Sequence, residues 1–143
     1  MRRRALNLVA ALLSSLGLPA LAQDTALPKQ LDCTFANGTV WALAKGAFAA
    51  KPTGPFTFMI GDIDLDTGVA MLKAREGTSV LKIVRAIGAH HFIEVSVEGF
   101  LNLTTVYEPA PGTKAYAAAH SRHLGLVGEP IISQYVGSCT GGS

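Results

Sequence analysis

Four histidines are the residues in this chain best suited to chemistry, and they fall in two groups, His90-His91 and His120-Ser121-Arg122-His123. Two or three imidazoles meeting at one end of a sheet would hold zinc or copper, and His90, His91, His120 and His123 are then the ligands. The spacing argues for something plainer. His-x-x-His shares a face only on a helix; on a strand the two rings point to opposite sides. Neither pair has an acid beside it in sequence to orient a ring. They read as polar residues at turn edges, so no metal and no cofactor is expected.

Nucleophilic catalysis would draw on the same histidines, with Ser121 or Ser133 and with Glu94 or Glu98, because a triad follows no fixed sequence order. No Gly-x-Ser-x-Gly elbow is present: Gly137-Ser138-Cys139-Thr140-Gly141 has its serine one place early. No glycine-rich phosphate loop occurs either. Asp62-Ile63-Asp64-Leu65-Asp66-Thr67-Gly68 has the alternating aspartates of a calcium loop, but its glycine comes one place late and Lys73 stands where a bidentate glutamate is required. That stretch reads as a strand turning acidic before a hairpin. No catalytic residue is assigned, and the balance leans away from an enzyme.

Recognition remains. The polar stretch His120, Arg122, His123 is unlike strand filler, and the Arg122 guanidinium is a rigid five-donor fork suited to a carboxylate or to carbonyls. With Asn102, Thr104 and Tyr107 these residues form the candidate ligand site.

The elements that must position them are strands. Leu31 to Phe35, Thr39 to Leu43, Phe56 to Leu65, Val69 to Ala74, Thr78 to Ile87, His91 to Val97 and Leu101 to Tyr107 are strand-like, followed by Lys114 to Ala119 and Ile131 to Val136. Glycine-bearing breaks recur about every ten residues with no helix-length pattern between them. The expectation is an all-β domain: one antiparallel meander of seven to nine strands, closed as a barrel or folded as a two-sheet sandwich. Ala36-Asn37-Gly38 is read as a hairpin turn. Lys45 to Pro55, with Gly46, Pro52, Gly54 and Pro55, cannot be regular throughout, and a short helical turn is an option over Val40 to Phe48. His120 to Pro130 is read as a polar loop. Thr78 to Ile87, apolar on both sides, suits a central position or a strand covered on its outer face.

Residues 1–22 carry the three parts of a secretory signal peptide: Arg2-Arg3-Arg4, the apolar run Ala5 to Leu18, and Ala20-Leu21-Ala22, with cleavage expected between Ala22 and Gln23. Its loss removes three arginines and no acid, so 12 basic against 10 acidic residues become 9 against 10. So few dispersed cations do not make a nucleic-acid surface. Residues 23–30 are a flexible lead-in, 31–139 the single domain and 140–143 a flexible tail. Asp32 before Cys33 rules out a lipobox, so no stable membrane anchor is expected, and the protein is read as a monomer in the periplasm or the medium. In that compartment Cys33 and Cys139 form a disulfide linking the first and last strands.

The tail, with His120-Ser121-Arg122-His123, Ser133-Gln134-Tyr135 and Gly137-Ser138-Cys139, resembles that of small secreted bacterial β-proteins of unassigned function. In size, export and end-to-end bridging the chain is also similar to the periplasmic lysozyme-inhibitor barrels. That similarity is one of architecture, since their serine–glycine inhibitory loop motif has no counterpart here. Three function classes follow: a non-catalytic binding module for a small apolar ligand or a periplasmic protein partner, a histidine-centred metal protein or hydrolase, and an interaction protein acting through an exposed edge strand.

Overall fold

The computed structural model describes residues 27–96, 99–126 and 129–142. The expected signal peptide lies outside them. Among the described residues there are nine strands and no helix: β1 (Leu31–Ala44), β2 (Ala47–Thr53), β3 (Phe56–Asp64), β4 (Val69–Ala74), β5 (Gly77–Ala86), β6 (Ala89–Val95), β7 (Phe100–Tyr107), β8 (Ala115–Leu126) and β9 (Glu129–Gly141). All pairings are antiparallel, and β1 meets β9 to close eight strands into a barrel. The sandwich alternative is thereby set aside.

Alternation explains the inward face. Leu31, Cys33 and Phe35 are buried on β1 between exposed Asp32, Thr34 and Ala36. Leu81 and Ile83 on β5, Phe92 on β6, Val106 on β7, and Tyr116 and Ala118 on β8 fill the same interior. Burying a phenylalanine such as Phe35 or Phe92 contributes about 2–3 kcal/mol. Cys33 and Cys139 are directly paired in the β1–β9 ladder and joined by a disulfide that spans 106 residues of sequence.

β1 does two jobs. Its first half, Leu31 to Phe35, pairs with β3, and its second half, Gly38 to Ala44, pairs with β2, while β9 runs along nearly the whole of its other side. β2 therefore lies outside the closed ring, and the β2–β1–β9–β8 sheet stands above one rim as an overhanging wall.

Several expectations are corrected here. Asn37-Gly38 is not a turn: β1 runs through it with a bulge between Thr34 and Asn37, because partners on both sides outweigh the local hairpin preference. The glycine serves packing instead, since a Cβ on Gly38 would drive into the Tyr135 ring, and one on Gly137 would strike the Thr34 and Phe35 backbone. Lys45 to Pro55 is not helical, and, as expected, it is not regular throughout: Lys45-Gly46 is a turn and Gly54-Pro55 lies outside any strand. A two-residue turn, Lys45-Gly46, with positive φ at both positions, starts β2. The expected loop His120 to Pro130 is strand up to Leu126 and again from Glu129, because its polar residues alternate inward and outward rather than facing solvent together. The outer valines of β5, Val80 and Val84, are exposed, so nothing among the described residues covers that face. The lead-in and tail are tied as well: Leu27 is buried, the Ile63 amide donates to the Lys29 carbonyl, and the Gly142 amide donates to the Gln30 carbonyl.

Removing the staple with Cys33→Ser and Cys139→Ser together is expected to lower the unfolding free energy by roughly 3–5 kcal/mol, read by chemical denaturation against the oxidised protein. A loss below about 1 kcal/mol would contradict a closure that depends on the bridge.

Candidate functional site

Cross-strand partners share a face, so the ladders show which side chains meet inside the raised rim. One row runs Glu94 (β6), Asn102 (β7), Arg122 (β8), Ser133 (β9), Val40 (β1) and Lys51 (β2). One step deeper, Thr104, His120, Tyr135 and Gly38 form the next row, and this one is buried. One step outward, on the overhanging wall, the row is Phe100, Leu124, Ile131, Ala42 and Ala49, apolar throughout. A polar collar thus lies between an aromatic floor and an apolar awning.

Hydrogen bonds fix the collar. Ser79 Oγ donates to Glu94 Oε1, and Asn102 Nδ2 donates to Glu94 Oε2 at 2.6 Å. With its amide nitrogen committed, Asn102 presents Oδ1 as a buried acceptor that has no partner among the described residues. Next to it the Arg122 guanidinium carbon lies 5.8 Å from the centroids of both Phe56 and Phe100, a cation held over two ring faces. No carboxylate among the described residues comes within ion-pair distance of Arg122; the ion pair found there, Lys73–Asp62 at 3.3 Å, is on β3 and β4.

His120 sits beneath this pair among aromatic rings, its centroid 5.0 Å from Phe56, 5.3 Å from Phe58 and 5.8 Å from Phe35. Its Nδ1 is 2.8 Å from Thr104 Oγ1, and its Nε2 is buried without a partner among the described residues. Burial first, and then the Arg122 charge, push its pKa down to about 4, so the ring is neutral at pH 7. A neutral imidazole offers one donor and one acceptor, and here one of the two is free.

Of the sequence-predicted ligand residues, Asn102, Thr104, His120 and Arg122 meet at this rim. His123 and Tyr107 do not. His123 is odd in the alternation of β8 and is exposed outside, with Ser121 Oγ 3.0 Å from its Nε2, while Tyr107 ends β7 on the outer face, 46% exposed. The four histidines are also dispersed. His90 faces inward opposite Arg85 at the far end, with its pKa lowered by burial and then by Arg85, and His91 faces outward with Nδ1 2.9 Å from Thr105 Oγ1. Among the described residues no three His, Cys, Asp or Glu side chains cluster for a metal. Of the serine–histidine pairings considered for a triad, the contact present is Ser121–His123, and no carboxylate bonds that ring among the described residues. Glu98 is outside them.

The ligand set read from the sequence omits Ser79, Phe56 and Phe100, and Glu94 enters that reading only as a carboxylate for a triad. β6 reverses the usual pattern: Glu94 faces in, whereas Val95 is 76% exposed outside. An acid between Ile93 and Val95 was the available signal, and it was legible only as alternation, without direction. Comparison with protein-family models, curated proteins and solved structures finds no match to this chain.

The neutral His120 links the site to stability. Its folded pKa of about 4 lies below the ordinary 6.5, so the unfolded chain takes up the proton first as pH falls. Stability is full above pH 6.5 and is expected to decline by on the order of 3 kcal/mol as pH falls to about 4. His120→Phe should flatten most of that slope in urea titrations at stepped pH, leaving the smaller part due to His90. An unchanged slope would contradict the burial of a neutral ring.

Proposed function

We propose that this protein is a non-catalytic binding module that takes a small amphipathic molecule at the raised rim of its barrel. One observation carries the reading: a half-buried guanidinium without a carboxylate partner and two buried, unpartnered polar atoms, Asn102 Oδ1 and His120 Nε2, converge on one inner face beside an apolar row. An unsatisfied buried polar atom costs about 1–3 kcal/mol, so each such atom calls for a partner from outside the chain, a ligand or a water. The ligand's polar end would enter the collar, and its apolar body would lie along Phe100, Leu124, Ile131 and Ala42. This narrows the expected apolar ligand to one with a polar head.

The compartment supports the reading. The Cys33–Cys139 disulfide suits an oxidising, exported location, and with the expected leader the address is the periplasm or the medium. Among the described residues no helix is long and apolar enough to cross a membrane. The edge-strand alternative would use β2, whose outer edge is unpaired and where Phe48 is 52% exposed. That strand carries Lys51 and Pro52, two devices that blunt an edge against pairing. The rim is therefore preferred to the edge.

A titration of amide chemical shifts with a mixed panel of small acids, amines and alcohols bearing apolar groups tests this. Shifts are expected to cluster on Phe56, Phe100, Asn102 and Arg122. Shifts confined to the outer face, or none with any fragment, would overturn the reading.

A further inference from the structure

Resting on that reading of the rim, we propose that the ligand is an apolar carboxylate carrying a hydrogen-bond donor on the carbon beside it, the chemistry shared by α-hydroxy and α-amino acids. The argument runs along the collar from Arg122. Its guanidinium has ring faces of Phe56 and Phe100 close by, which satisfy its π-surface but none of its five N–H donors. A planar, two-oxygen acceptor matches that fork, and a carboxylate also supplies the missing charge.

The neighbouring strand then sets the second requirement. Asn102 is the direct ladder partner of Arg122, about one strand spacing of 4.7–4.9 Å away, and its unpartnered function is an acceptor because Nδ2 is bonded to Glu94. Behind it stands the Glu94 carboxylate itself. A bare carboxylate on Arg122 would therefore face an oxygen lone pair backed by a negative charge. A hydroxyl or ammonium on the adjacent carbon turns that conflict into a hydrogen bond and points the ligand's positive or donor end toward Glu94. The buried Nε2 of His120, one ladder step deeper, remains for the second carboxylate oxygen or a water that it holds.

The third requirement comes from the awning. Phe100, Leu124 and Ile131 are half-buried and apolar, and the small side chains of Ala42 and Ala49 leave room on the same face. A benzyl or branched aliphatic side chain fits that surface better than a second polar group does. Four soluble compounds with one shared benzyl body separate these demands: phenyllactate, phenylalanine, 3-phenylpropanoate and 3-phenylpropane-1,2-diol. The first two carry both carboxylate and donor; the third lacks the donor and the fourth lacks the charge.

Calorimetry on the unaltered, oxidised protein, with amide shifts to locate each compound, is the test. At least one of phenyllactate and phenylalanine is expected to bind at the rim roughly tenfold or more tightly than either partial analogue, and the preference between the two identifies hydroxyl or ammonium as the donor. Arg122→Lys, which keeps charge but loses the fork, should cost the better ligand about tenfold. Equal binding of all four at the rim, or of the acid with and without its donor, overturns this ligand class while leaving the rim a small-molecule site. Failure of these four together with every fragment of the wider panel overturns the site itself.

Discussion

The pairing of β1 with β9 is the constraint on which the rest of this molecule depends. From Leu31 opposite Gly141 to Ala42 opposite Ile131, the two ends of the chain share one ladder, and the Cys33–Cys139 bond sits inside it. Without that seam the chain would be an open sheet with two long edges, and Phe35, Tyr135 and Tyr116 would lose the enclosure that makes their burial worthwhile. Bringing segments so distant in sequence together is entropically costly, and the covalent link lowers that cost by restricting the unfolded chain. Gly137 and Gly38 make the seam tight: both leave out a Cβ where the other strand or its aromatic ring passes too close for one.

The seam also creates the rim. Because β1 outruns β3 and continues beside β9, one wall of the barrel rises above the level at which β4 turns into β5 and β6 ends. On its inner face Val40, Arg122, Leu124 and Ile131 are half-buried. The sequence answers with an apolar row at the top, a polar row in the middle and aromatic rings at the bottom. Glu94 is held by Ser79 and Asn102, and Thr104 holds His120, so most of the buried polar groups are satisfied. Those that are not, Asn102 Oδ1 and His120 Nε2, lie on adjacent strands, one ladder step apart on the same inner face.

Much of the frame was legible in the sequence. The glycine-punctuated strands from Phe56 to Tyr107 fall where the β-branched runs placed them, and the two cysteines pair as an exported chain would require. Local signals failed where long-range pairing overruled them. Asn37-Gly38 has strong hairpin chemistry, yet β3, β2 and β9 all need β1 to continue there. The polar stretch from His120 to His123 looked like a loop because its charges were read together, whereas a strand sends His120 and Arg122 one way and His123 the other. Glu94 was hidden for the same reason: alternation separates two faces but does not say which of them closure will turn inward. Asn102, Thr104, His120 and Arg122 were named by residue type, and only the ladder puts them on one face and Tyr107 and His123 on the other.

The central claim is that closure brings Arg122 of β8 inside the barrel, between a phenylalanine of β3 and one of β7. Side-chain nuclear Overhauser contacts of the Arg122 Hδ and Hε protons in the oxidised protein test it most directly. The account predicts contacts to the ring protons of both Phe56 and Phe100, residues far from Arg122 and from each other in sequence. Contacts instead to Ser121, His123 and Gln134 on the outer surface, with none to either ring, would contradict it.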